Sequence, residues 1–155
     1  MPKENHPFCF LSASRIYVLA VLLAAPFLSH AEDVRLRAMK AMHRNLFTQH
    51  EICVLRGRMA LLPEPAKSAE SVSDCTSEGR GEVEQINADL GRLIKGKAAQ
   101  SALADWRIKW LETFEAADVQ TNDTSEMYLR RVTNVLKRAD KVSQKLQATV
   151  IKSPL

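Results

Sequence analysis

The chain has 155 residues, 46% hydrophobic but only 6% aromatic, with 22 Lys and Arg against 18 Asp and Glu for a formal charge of +4. That length holds one domain at most, and so mild a basic excess does not imply a nucleic-acid partner. With few glycines and no alternating Val/Ile/Thr runs, a strand-built fold is excluded and an all-α domain is expected.

The first 31 residues have the layout of a signal peptide. Lys3 and Arg15 supply a positive start, and Ile16 to Leu28 form an apolar run of 13 residues. Ser29-His30-Ala31 then places small residues where a signal peptidase reads, and Glu32 and Asp33 follow. Such a run is short for a membrane span of about 20 residues, so cleavage after Ala31 is expected, with an uncleaved anchor as the alternative. Cys9 precedes the apolar run and does not sit where a lipidated cysteine would. Residues 32–155 are then a single helical domain, periplasmic or secreted. It keeps two cysteines, Cys53 and Cys75, an even number in an oxidising compartment, which predicts one disulfide.

Helix 1 is predicted over about 33–62. Leu36, Met39, His43, Leu46, His50 and Cys53 recur at spacings of three and four on one face. Pro63 and Pro65 stop it, since each lacks a backbone donor and biases its predecessor away from helix. Cys53 and Cys75 lie eleven residues on either side of Glu64, between those prolines. An antiparallel hairpin bent there brings them together.

Helix 2 is predicted over about 68–95, on the seam Val72, Cys75, Gly79, Val83, Ile86, Leu90 and Leu93. Gly79 and Gly81 each cost about 1 kcal/mol against Ala inside a helix, yet the seam keeps its phase through Gly79. A continuous helix is therefore favoured over a loop at 76–81. The hairpin register sets Gly79 opposite Gln49 and His50, where a missing side chain lets two helices come close. Gly96 reads as a C-terminal cap.

Helix 3 follows over about 98–117, with Leu103, Trp106, Trp110, Phe114 and Ala117 on one face as core anchors. Asp123-Thr124-Ser125-Glu126 reads as a capping box with Asp in the capping place. It opens helix 4, about 124–151, whose seam is Tyr128, Val132, Val135, Ala139, Val142 and Leu146. Four long helices on short links predict an up-down-up-down four-helix bundle. The alternative is a more elongated arrangement with helices 2 and 3 nearly continuous through Gly96.

His43, His50 and Cys53 form the most metal-like cluster, but the two histidines are two turns apart, about 10.5 Å along a helix axis. A zinc ion wants ligands at about 2.0–2.3 Å, and a disulfide would take the sulfur, so no metal is expected. Haem in the bundle would need Met and His on facing helices. There is no C-x-x-C-H, and methionines at helical spacing usually fill cores. No cofactor is expected. Nor does any Ser/His/Asp set, phosphate loop or carboxylate pair stand out, so the chain does not read as an enzyme. Asn122-Asp123-Thr124 matches the glycosylation sequon, which matters only in a eukaryotic secretory context.

Charge is spread unevenly. Residues 32–62 carry +3, 63–98 carry −2, 99–123 carry −3 and 124–155 carry +5. On helix 4, Arg131, Arg138, Lys145 and Lys152 repeat every seven residues with Lys141 beside them, a solvent-facing basic stripe opposite the apolar seam. Such charges either set helix pairing within the bundle or dock an acidic partner or anionic envelope lipids. The expected function is non-catalytic binding of an exported helical protein to an envelope protein partner or anionic surface, through this stripe or the exposed side of helix 1. The alternatives are a cofactor- or metal-carrying bundle and an oligomeric structural subunit, the latter suggested by the regular seam of helix 4.

Overall fold

The structure is a computed structural model that describes residues 28–62 and 68–152. Four helices account for most of them: α1 (Leu28–Ala60), α2 (Ser68–Leu93), α3 (Lys97–Ala117) and α4 (Ser125–Lys152). No strand occurs among the described residues. The chain falls into two units, 1–39 and 40–155. Of the first, the described part is the opening of α1, Leu28–Met39. The second holds the rest of α1 and the other three helices. The signal-peptide expectation lies mostly outside the described residues. Its proposed cleavage point, Ala31, falls within α1, which begins five residues before the expected Asp33.

From Lys40 onward the helices form a four-helix bundle whose neighbours run antiparallel, as contacts at constant residue sums require. The Cys53–Cys75 bond joins α1 to α2. Between α2 and α3, Arg107 Nε donates to Glu84 Oε2 (2.6 Å) and Gln100 Nε2 donates to the Gly91 carbonyl (3.2 Å). Trp110 to Ser143 and Lys145 to Asp105 join α3 to α4. His43 to Asp140 and Tyr128 to Val54 close the ring between α4 and α1.

Local chemistry sets the ends. α1 winds down through i to i+3 bonds from the Leu61 and Leu62 amides to the Arg58 and Met59 carbonyls; the prolines that follow are not described. At the α2–α3 junction Gly96 has φ +88°, the one positive φ among the described residues. A conformation at φ 88°, ψ 141° is open essentially to glycine alone. The Gln100 side chain reaches back to the Ile94 carbonyl at 2.6 Å and so satisfies an acceptor that the end of α2 leaves free. Thr124, rather than the expected Asp123, caps α4: its Oγ1 accepts from the Met127 amide at 3.2 Å. Glu126 pairs with Arg130 and does not complete a capping box.

The core is built on Trp110, Phe114, Tyr128, Leu46 and Leu146, each at most 1% exposed. Burying each such side chain contributes about 1.5–3 kcal/mol. α2 is continuous through Gly79 and Gly81. The reason for Gly79 differs from the expected close approach to Gln49 and His50: a Cβ there would overlap the Phe114 ring of α3. Gly57 does the same for Tyr128 of α4. Two seam positions shift by one residue. Ile94 is buried (4%) where Leu93 was expected, and Leu93 is 41% exposed. On α4, Ser143 (2%) takes the place of Val142 because the buried Trp110 indole needs an acceptor. Trp110 Nε1 donates to Ser143 Oγ at 3.0 Å, and Ser143 Oγ donates to the Ala139 carbonyl at 2.8 Å.

Candidate interaction surfaces on α1 and α4

Cys53 and Cys75 are joined with an S–S distance of 2.09 Å and a Cα–Cα distance of 5.5 Å. Both are fully buried, and Gln49 Nε2 points at the Cys75 sulfur from 3.7 Å. The pair is thus inside the α1–α2 seam, where it ties the two helices together away from solvent.

The histidines stand apart from each other chemically. His43 is half-buried, with its ring edge-on to Trp110 at 5.5 Å and Nε2 3.5 Å from Asp140 Oδ1. Burial pushes its pKa down, against a smaller upward pull from Asp140. His50 is 2% exposed and meets Phe114 edge-on at 6.0 Å. Neither of its ring nitrogens has a hydrogen-bond partner, and burial lowers its pKa to about 4. The imidazole is therefore neutral at physiological pH and behaves as an aromatic filler. Among the described residues no three His, Cys, Asp or Glu side chains are grouped to hold a metal ion, and no helix is long and apolar enough to cross a membrane.

The basic stripe divides. Arg131 turns inward at the α3–α4 junction. Its guanidinium donates to both Asp123 oxygens (2.5 and 2.7 Å), to the Ala116 carbonyl (3.2 Å) and to the Asp118 carbonyl (2.9 Å). It also lies 5.5 Å over the Tyr128 ring, whose hydroxyl donates to the Ala117 carbonyl at 3.0 Å. Asp118 carries the network into α2 by accepting from Thr76 Oγ1 at 2.7 Å. Arg131 thus satisfies carbonyls at the end of α3, as a cation there should, and its guanidinium is engaged within the chain rather than held out in the solvent-facing stripe. Lys145 sits 3.3 Å from Asp105 in an exposed pair. Arg138, Lys141 and Lys152 are exposed and have no ion-pair partner among the described residues.

The exposed side of α1, the other docking face expected from the sequence, carries an apolar line whose residues the sequence reading did not pick out. Ile52, Leu55 and Met59 of α1 and Leu62 just past its end are 40–58% exposed and recur at spacings of three, four and three. At 100° per residue the three helical members cluster on the side of α1 opposite the buried Leu46, His50, Cys53 and Gly57. The signal was available as a second apolar periodicity, masked by the stronger one that carries the cysteine. Beside this stripe runs a groove of about 330 Å³ between α1 and α4. Val54, Leu55 and His50 line it from α1, and Leu129, Val132 and Leu136 from α4, with Glu51, Arg58 and Thr133 at its polar positions.

Compared with known proteins, the chain matches no family model, no curated protein and no solved structure.

Proposed function

We propose that this protein acts by non-catalytic binding, docking a protein partner on the exposed side of α1 in the periplasm or outside the cell. The observation that carries the reading is the apolar stripe Ile52, Leu55, Met59 and Leu62, continuous with the groove along α4. Single exposed apolar residues are ordinary. A contiguous line of four, bordered by charged residues, is the form that interaction surfaces take. The disulfide supports it by holding α1 rigid through the middle of this face, so that little side-chain and backbone order is lost on docking.

The direct test is a photo-reactive residue at position 55, with a control at the exposed Glu115 of α3. In cells exporting the protein, irradiation should yield a covalent protein adduct from position 55 and none from position 115. No adduct from position 55 would overturn the reading.

The exposed cations of α4 favour a second reading, attraction to an anionic surface. Arg138, Lys141 and Lys152 each contribute about 1 kcal/mol near a negatively charged leaflet at most. Sedimentation with vesicles containing phosphatidylglycerol, compared with neutral vesicles, decides it. Equal recovery in the supernatant would remove this reading.

A further inference from the structure

We propose that the partner of the α1 face is a second copy of this chain, the two α1 helices packing antiparallel about a two-fold axis through Leu55. This rests on the proposed binding role of that face and supplies its partner.

The stripe is self-complementary in a way that a surface built for an unrelated protein need not be. A two-fold interface places residues equidistant from its axis against each other. With the axis at Leu55, that residue meets itself, and Ile52, three residues to one side, comes within one residue of level with Met59 of the second copy, four to the other, on the same flank. Apolar groups therefore face apolar groups from Ile52 to Met59. The charges obey the same symmetry. Glu51 and Arg58 are exposed, line the groove edge, and have no ion-pair partner among the described residues. They lie seven residues apart, about 10.5 Å along the axis, and on the same flank of the stripe. In an antiparallel pair related by a two-fold axis, equal flanks of the two helices adjoin. Glu51 of each copy, four residues before the axis, then comes within one residue of level with Arg58 of the other, three after it, giving two symmetric ion pairs that fix the register. A parallel pairing would instead set opposite flanks together and bring neither charge to the other. The groove adds Leu129 and Leu136 of α4 behind that same flank, extending the apolar surface beyond the single helix.

The experiment is sedimentation equilibrium on the protein as recovered after export, its N-terminus read by mass spectrometry. A concentration-dependent dimer is expected. Glu51→Arg alone and Arg58→Glu alone each replace two attractive contacts by two repulsive ones and should weaken the dimer about tenfold. Equimolar mixing of the two variants should restore association as a heterodimer, since the new charges are complementary across copies. Leu55→Asp, which sets two carboxylates against each other on the axis, should leave monomer. Unchanged far-UV circular dichroism in each variant shows that the fold is retained, as expected for exposed positions.

A wild-type monomer throughout the accessible concentration range would overturn the proposal, as would a dimer indifferent to all three substitutions. Adducts from position 55 separate the two layers of the argument. A self-adduct supports both. An adduct with a different protein, or with the apolar segment 16–28 of the same chain, overturns self-association. The different-protein adduct leaves the binding role standing, the same-chain adduct removes it, and no adduct from a monomer removes both.

Discussion

Arg131 and Asp123 meet end to end, both nitrogens of the guanidinium fork on both carboxylate oxygens, at 2.5 and 2.7 Å. The Asp123 side chain is 2% exposed, so the pair is shielded on the acid's side. It ties the start of α4 to the last carbonyls of α3 and fixes the turn between them. An arginine counted by heptad spacing as surface is in this way a structural part.

Arg131→Ala leaves a shielded carboxylate and two carbonyls without their donor, and should cost about 2–3 kcal/mol in urea unfolding. Arg131→Lys should recover only a part, because an ammonium cannot bridge both oxygens and both carbonyls. The guanidinium holds the Asp123 carboxyl below its ordinary pKa. Such a group lends stability above its unfolded pKa, near 4, and loses it as pH falls through the lower folded value. The wild-type protein should therefore lose this increment below about pH 4, and Arg131→Ala should lose much less, keeping only the part that the Gln120 amide supplies.

Gly79 and Gly81, two residues apart in α2, should respond in opposite directions. An added methyl at Gly79 overlaps the Phe114 ring, whereas one at Gly81 meets nothing within 4 Å. Gly79→Ala should destabilise by about 1–3 kcal/mol. Gly81→Ala should stabilise by about 0.5–1 kcal/mol by restricting the unfolded chain. Thermal unfolding of the two variants checks the pair; a loss at both positions would contradict the open space at Gly81.

His50 sets an acid limit. Its folded pKa of about 4 lies below the ordinary 6.5. The unfolded chain therefore binds the extra proton first as pH falls. Stability is intact above 6.5 and declines between 6.5 and about 4, by of order 3 kcal/mol in full. His43 adds in the same direction. His50→Leu should flatten this slope and be nearly neutral at pH 7.5, since it removes a ring whose two nitrogens have no partners. Denaturant midpoints across that pH range measure it.

Reduction of Cys53–Cys75 releases a loop of 22 residues. It should lower unfolding free energy by about 3 kcal/mol, a large share of the total for a domain this size. Urea midpoints with and without reductant give the value directly, and a coincident pair of curves would contradict it.

The cysteine pairing, the four helices and most of their inward faces could be read from the chain alone. Each follows from local rules: apolar spacing of three and four, prolines at 63 and 65, and two cysteines placed symmetrically about Glu64. Even the continuity of α2 was legible, because the seam keeps its phase through Gly79. What tertiary structure alone decided are the places where one helix answers another. Ser143 is buried in place of Val142 because an indole on α3 needs an acceptor. Gly57 and Gly79 are glycines because aromatic rings from α4 and α3 occupy the space of their missing side chains. Arg131 is drawn out of the basic stripe by carbonyls that only the α3–α4 turn presents. The apolar line from Ile52 to Leu62 shows the same division. Its spacing stands in the sequence, but only the bundle's geometry shows that no described helix covers it, because burial is a property of what lies opposite a residue and not of the residue itself.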